Sequence, residues 1–359
     1  MVLIIMKRTR GFTIIEWMIT ITIGLFIIAA LLAIFVSNQQ TTKSSTDNGE
    51  LVDNGRLAIN IISRDLGLVG FWGDFTGVDI DIDSTAFLST NSSIDSSEDC
   101  LNTAKGGSGS FPTSTTTLQS LWALVASTTP SVNLNCIGID DSESYSLSDT
   151  DGDKSSDILD LKYLNPSIVC SKDTDSTACA AKLDENYFYA ATTQQKIKWI
   201  AGDETPPSLS DMANRRVWRY IHQLYFVHTY SSDSIPYLYQ TILGGTNGQS
   251  FSGNTQRLVP GIERIKIFLA VDTSSTQDYI VDRYLAPADV TQTQWNEGRV
   301  LGAKIYVLAR STKADSSYTN SNTYQLGNDS FTASGDHFRR LLLQATVSFP
   351  NTKALVSGS

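Results

Sequence analysis

Twenty consecutive residues without a charge, Trp17 to Val36, set the first constraint on this chain. At 1.5 Å per residue, a helix of that length crosses a hydrocarbon core of about 30 Å. The run is entered through one carboxylate, Glu16. Before it stand Gly11-Phe12-Thr13-Ile14-Ile15 and, further back, the cations Lys7, Arg8 and Arg10. The downstream flank, Ser37 to Thr42, carries no cation, so the positive-inside bias keeps the leader cytoplasmic and sends the remaining chain outward. A secretory signal peptide would have an apolar core of roughly 7–15 residues and a small-x-small cleavage site. Ser37-Asn38-Gln39-Gln40 offers no such site. A carboxylate in hydrocarbon costs about 2.5–3.5 kcal/mol when central and less near an end, so Glu16 calls for a partner charge.

Basic residues, then Gly11-Phe12-Thr13-Ile14-Ile15-Glu16, then an apolar helix, resemble the processing site of type IV prepilins and pseudopilins. The resemblance implies that a membrane-embedded prepilin peptidase cuts between Gly11 and Phe12, that the new Phe12 amine is methylated, and that the helix is retained. Met6 would also serve as a start, leaving the short leader Met6 to Gly11. The new amine lies one helical turn from Glu16, on the same face. The resemblance further implies that Glu16 of one subunit meets the Phe12 amine of a neighbour. Such a buried pair fixes register more surely than it adds net stability.

Removing the leader's three cations takes the formal charge from −10 to −13, which excludes general nucleic-acid binding. Arg215-Arg216 and Arg339-Arg340 are expected to be exposed cation pairs on a solvated face. Cys100, Cys136, Cys170 and Cys179 all lie in the exported part, and an even count there points to two disulfides. Three pairings are open. Nearest-neighbour pairing, Cys100 with Cys136 and Cys170 with Cys179, is the simplest, each bridge stabilising by about 2–4 kcal/mol. Neither these cysteines nor His222, His228 and His337 have zinc-ligand spacing. There is no Gly-x-Ser-x-Gly, His-Glu-x-x-His or phosphate-binding glycine loop, and His222 and His228 are expected to be packing or surface residues. The chain is therefore not expected to be an enzyme or to hold a cofactor.

Between Arg56 and Gly70, Leu57, Ala58, Ile61, Ile62, Leu66 and Val69 recur at helical spacing and predict an amphipathic helix that packs on a sheet. If it continues the apolar helix, the element from Phe12 to Leu68 is 57 residues, about 85 Å long, although Gly49 and Gly55 weaken the case. Ser84 to about Thr129 has the composition of a long surface loop. Asp149, Asp151, Asp153, Asp157 and Asp160 match offsets of a calcium loop, but Lys154 occupies the place of the turn glycine. A solvated acidic turn before a strand is the competing expectation. Alternation predicts strands over 265–271, 301–309 and 341–349, with further candidates at 158–164, 217–229 and 236–243. These form one antiparallel sheet with a single buried face, laid on the helix: an α+β, pilin-like fold. The expected divisions are a leader (1–11), a transmembrane helix (12–36), its amphipathic continuation (37–70) and an extracytoplasmic head (71–359). Within the head, about 75–255 is a loop-rich insert and 256–351 the sheet core.

Ser63-Arg64-Asp65-Leu66, Gly70-Phe71-Trp72-Gly73, Gly261-Ile262-Glu263-Arg264-Ile265, Val307-Leu308-Ala309-Arg310-Ser311 and Phe338-Arg339-Arg340-Leu341 through Asn351, in that order, resemble the PilW-type minor pilins. The resemblance implies an inner-membrane precursor with a periplasmic head that later enters an extracellular pilus. The implied partners are other minor pilins, the major pilin, the prepilin peptidase and a tip adhesin. The implied work is assembly initiation in support of adhesion, twitching motility or DNA uptake. A minor pseudopilin of a type II secretion system shares the same N-terminal chemistry, while a membrane-anchored adhesin or enzyme would keep residues 1–11.

Overall fold

The computed structural model describes residues 11–76, 87–88, 109–112, 118–124, 133–139, 143–146, 156–229, 234–244 and 254–351. Helix α1 runs without a break from Ile14 to Leu66, 53 residues, so Gly49 and Gly55 do not interrupt it. Contacts divide the chain into two compact units, residues 1–50 and 51–359. In the second, Leu51, Gly55, Ala58, Ile59, Ile62, Asp65 and Leu66 are buried, the three- and four-residue spacing of one helical face.

The strands in chain order begin β1 (Phe87–Leu88), β2 (Leu121–Leu124), β3 (Asn133–Ile139), β4 (Glu143–Ser146) and β5 (Ile158–Cys170). Next come β6 (Phe188–Thr192), β7 (Ile197–Ala201), β8 (Arg216–His228), β9 (Tyr237–Ile242) and β10 (Thr255–Pro260). The last are β11 (Ile262–Val271), β12 (Arg283–Leu285), β13 (Val300–Arg310), β14 (Thr323–Leu326), β15 (Asp329–Thr332) and β16 (Arg340–Ser348). Short helices α2 (Ser176–Ala180) and α3 (Gln292–Asn296) lie between strands.

These strands do not make the single sheet that alternation predicts. Eight of them form one sheet in the order β1-β7-β6-β8-β5-β2, with β9 on β8 and β10 on β9. Strands β6 and β9 share an edge of β8, β6 along 216–219 and β9 along 223–228, while β5 takes the other edge. A second, antiparallel sheet has the order β12-β11-β13-β16. Its register sets Ile265 against Val307 and Val307 against Leu343.

One core joins both sheets to the helix. Ile62 and Leu66 of α1 share it with Ile221 and Tyr225 of β8 and with Ile265, Ile267, Ile305 and Val307 of the second sheet. The opposite face of the larger sheet is covered too, by an aromatic cluster that includes Trp72, Phe111, Trp199, Trp218 and Tyr220. Even-numbered residues of β8 from Trp218 to Phe226 face this cluster, and Ile221, Gln223 and Tyr225 face the helix, so the strand is buried on both sides. The Ser/Thr-rich stretch expected to be a surface loop supplies part of this interior: Phe111, Leu118 and Leu121 are buried, and β2 pairs with β5. The outer face of the second sheet is covered by the β14–β15 hairpin, where Leu326 and Phe331 meet Leu308.

Candidate functional site: the N-terminal helix and its attachment

The helix starts with a reciprocal pair of hydrogen bonds. Glu16 N donates to Thr13 Oγ1 (3.3 Å) and Thr13 N donates to Glu16 Oε2 (3.1 Å), the capping-box arrangement that satisfies two backbone donors left over by helix geometry. The Thr13 hydroxyl also donates to Glu16 Oε2 at 3.2 Å. The carboxylate thus has a local role before any cleavage: it closes the first turn directly after Gly11 and Phe12. Phe12 is 80 % exposed, and an apolar 18-residue stretch of the helix is long and apolar enough to cross a membrane with none of it buried. The leader cations Lys7, Arg8 and Arg10 lie outside the described residues.

The other end of α1 is fixed by a polar network. Asp65, 2 % exposed, accepts from Tyr225 Oη and Gln223 Nε2 on one oxygen, both at 2.6 Å, and from Arg64 Nε at 2.9 Å on the other. Gln240 donates to Gln223 Oε1, and Gln256 to Gln240 Oε1, each at 2.7 Å, so a chain of amides runs across β8, β9 and β10 and ends on the helix carboxylate. Burial, and then the charge of Asp65, pushes the Tyr163 and Tyr225 hydroxyls up, so both remain protonated donors. None of these glutamines stands out in the sequence, because a polar residue on a strand signals exposure until its partner is known.

Past the helix, Phe71 packs edge-on against Trp218 at 5.7 Å and Trp72 against Trp199 at 5.8 Å. Gly73 makes the turn at φ +66°, and a Cβ there would lie 2.5 Å from Trp218 Nε1. Asn351 Nδ2 reaches the carbonyls of Gly67 (3.4 Å) and Val69 (3.3 Å), so the end of the PilW-like stretch closes on the end of the helix.

The arginine pairs are not the solvated cations expected from sequence. Arg340 is buried and clamps two carboxylates: Nε and Nη2 donate to Glu263 at 2.6 and 2.9 Å, and Nη1 and Nη2 donate to Asp336 at 2.8 and 2.6 Å. Arg339 pairs with Asp315, whose carboxyl is held down at about 2 by hydrogen bonds from Ser317 and Arg339. Arg215 is buried with its Nε on Pro207 O, and Arg216 pairs with Asp74. Charge runs look alike in sequence whether they face water or staple strands. Gly261, at φ +74°, lets the chain pass so close that a Cβ would sit 2.5 Å from Arg310 O.

Of the five calcium-loop candidates, Asp149, Asp151 and Asp153 lie outside the described residues. The other two turn inward onto protein cations. Asp157 accepts from Lys266 Nζ (3.0 Å) and Ile267 N (2.9 Å), and burial pushes its carboxyl up to about 6 despite the lysine. Asp160 lies 2.9 Å from Lys162 Nζ and 2.7 Å from His222 Nε2; burial opposes its ionisation, but those two neighbours hold it below the usual carboxylate range. Among the described residues, no group of three or more His, Cys, Asp and Glu side chains is placed to hold a metal ion.

His222 Nδ1 is also 2.9 Å from Ser110 Oγ, so serine, histidine and aspartate stand in the order of a hydrolytic triad. All three are 0 % exposed, and Lys162 already holds the carboxylate. The cluster ties the 109–112 segment to β5 and β8. His228 packs edge-on against Tyr239. Cys170 and Cys179 are bonded, as nearest-neighbour pairing predicts, and the bridge ties the end of β5 to α2, which carries Cys179. Cys100, and the side chain of Cys136, lie outside the described residues.

Two comparisons bear on this architecture. Residues 6–32 match the prokaryotic N-terminal methylation motif, a span that holds Gly11, Phe12, Glu16 and the start of the exposed apolar helix. Residues 224–351 match the family described as Type IV Pilus-assembly protein W, from the middle of β8 through β16 to Asn351. No curated protein and no solved structure matches the chain. With the methylation motif opening its apolar helix and the assembly-protein pattern running through the second sheet, the two matches support a type IV pilus minor pilin similar to the PilW family.

Proposed function

We propose that this chain acts in the complex that initiates pilus assembly and stays at or near the pilus tip, where its head supports adhesion, motility or DNA uptake. In this reading the precursor sits in the inner membrane with its leader cytoplasmic and its head periplasmic. The prepilin peptidase cuts between Gly11 and Phe12, and the helix then passes from lipid into a bundle with other minor pilins and the major pilin.

The observation that carries this is the continuity of α1. An apolar stretch with no partner in its own unit belongs to the same helix whose last turns are buried in the head core. A secretory signal would be cut just after its apolar core, and Ser37-Asn38-Gln39-Gln40 offers no small-x-small site, which supports an apolar stretch that stays joined to the buried turns of residues 51–66. A helix that stays must have its apolar surface covered, first by lipid and then by other subunits.

Processing frees the Phe12 amine beside the capped turn, and Glu16 then has a cation within reach in its own subunit or a neighbour. The match to the pilus-assembly family favours a pilus over a secretion machine. Intact-mass measurement of the membrane-extracted protein tests the reading: the expected N-terminus is methylated Phe12. Gly11→Leu is expected to leave the leader in place and to abolish incorporation into pili. A functional protein that retains residues 7–11 overturns it.

A further inference from the structure

A cleft of about 830 Å³ opens on the head, far in sequence from α1's apolar stretch. It is framed by the β6–β7 turn, by the loop that leads into β8 and by the disulfide-closed loop after β5. Three cations line it: Lys172, Lys196 and Arg216. In a chain of net charge −10 this is a local reversal of sign. Asp74 is paired with Arg216, while Asp211 accepts from the Ser208 hydroxyl at 2.6 Å and keeps its charge, so the lining carries one net positive charge. Lys172 and Lys196 are exposed, and neither joins an ion pair among the described residues.

The rest of the wall is rich in amides and hydroxyls. Gln194, Gln195 and Asn214 are exposed beside Thr193 and Ser210, and among the described residues no aromatic side chain lines the cleft. Proteins that bind single-stranded nucleic acid without sequence preference combine a cationic groove with aromatic rings on which the bases stack, and the described lining provides no such ring. Sugars are held by groups of the kind found here, which both donate and accept hydrogen bonds to hydroxyls. The volume falls in the range of small-ligand clefts, about 300–1,000 Å³.

The walls are fixed before any ligand arrives. Thr193 N donates to Lys196 O (2.9 Å), Lys196 N to Thr193 Oγ1 (3.1 Å) and Thr76 N to Gln194 O (3.2 Å), while Met212 N donates to Ser208 O (3.0 Å). The Cys170–Cys179 bond holds the Lys172 loop. A site that needs no ordering loses less affinity on binding.

We infer that this cleft binds a short acidic oligosaccharide of the uronate class, its carboxylates on Lys172 and Lys196 and its hydroxyls on the amides. This goes beyond the assembly role and does not depend on it. The test is calorimetric titration of the full-length chain in detergent with trigalacturonate, against neutral galactotriose, inorganic phosphate and a single-stranded DNA 12-mer. Trigalacturonate is expected to bind with a Kd on the order of 0.1–1 mM, weakened by salt, and neither the neutral sugar nor phosphate to match it. The double variant Lys172→Glu/Lys196→Glu is expected to raise that Kd at least about tenfold with an unchanged melting curve. No heat from trigalacturonate at about 10 mM overturns the inference. So does equal binding of galactotriose or phosphate, tighter binding of the DNA, or an unaffected double variant.

Discussion

The two parts of α1 on either side of residue 50 solve opposite problems with the same backbone. In residues 51–66 one face, Leu51, Ala58, Ile59, Ile62 and Leu66, is buried against strands of the same chain, although Leu57, expected on that face, is exposed, and the one buried carboxylate, Asp65, receives hydrogen bonds from Arg64, Gln223 and Tyr225. In the first part the apolar residues are exposed all round the helix, and Glu16, the carboxylate that opens the apolar run, bonds only to the turn it caps. Apolar area removed from water is worth about 25 cal/mol per Å², so the second part is held by burial within the chain. The first part has that free energy still available to lipid or to another subunit. Asp65 is thus a structural carboxylate whose partners fold with it, whereas in the proposed function Glu16 is an assembly carboxylate whose charge partner is made by processing.

Deleting each carboxylate in turn puts the most strain on this contrast. Asp65→Ala strands the Gln223 and Tyr225 donors in the core, and a loss of roughly 2–4 kcal/mol is expected, seen as a lower unfolding midpoint of the head by near-UV circular dichroism. Glu16→Ala is expected to leave that midpoint within about 0.5 kcal/mol of the parent, because only an exposed cap is lost, yet to reduce incorporation into pili severely. If Asp65→Ala melts like the parent, or Glu16→Ala assembles normally, the two carboxylates do not divide the work in this way.

A third carboxylate extends the contrast to pH. Asp157 is buried like Asp65, but burial raises its carboxyl to about 6, against an ordinary value near 3.9 in the unfolded chain. The folded state therefore holds this proton more tightly than the unfolded state. The resulting stability is present in full below about pH 4 and is lost as pH rises through 6. Asparagine mimics the protonated form at all pH values, so Asp157→Asn is expected to gain on the parent by about 1–3 kcal/mol between pH 4 and pH 7.5. Chemical unfolding at several pH values checks this, and a pH-independent difference would place the Asp157 carboxyl near its ordinary value.

How much of an element can be read from its residues depends on how many of its faces are buried. From Leu343 onward strand β16 buries only one face, and its alternation there, Leu343, Ala345 and Val347 against Gln344 and Thr346, is plain from the order of its residues. Strands β5 and β8 are covered on both faces for much of their length, so alternation is absent, and nothing local says that they belong to a different sheet from β11, β13 and β16. Sheet membership is a long-range property. Phe111, Leu118 and Leu121 are hidden in another way: three core residues diluted among serines, threonines and glycines do not change the average composition. At the candidate site, Gly11, Phe12 and Glu16 can be read as one motif because they lie within six adjacent residues, inside the span that matches the methylation motif. The Asp65 network is not, since its members are separated by 158 and 160 positions and meet only after folding.

Single glycines separate the two parts of the helix by a finer margin. A Cβ on Gly55 would come within 2.4 Å of Leu343 Cδ1 and 3.4 Å of Ala309 Cβ, whereas one on Gly49 meets nothing within 4 Å. Both positions gain helix propensity from leucine, by somewhat less than about 1 kcal/mol. At residue 49 that gain stands alone, and Gly49→Leu should be neutral to slightly stabilising. At residue 55, Leu343 can rotate away from a single methyl group, but a full leucine side chain must also displace the β13–β16 surface, and overpacking of this kind costs about 1–3 kcal/mol. Gly55→Leu is therefore expected to lower the head's unfolding midpoint by a net amount of about 0.5–2 kcal/mol, measured beside Gly49→Leu in the same detergent. Equal midpoints for the two variants would mean that residue 55, like residue 49, rests against nothing, and that the tight packing of the helix begins only nearer to Ala58.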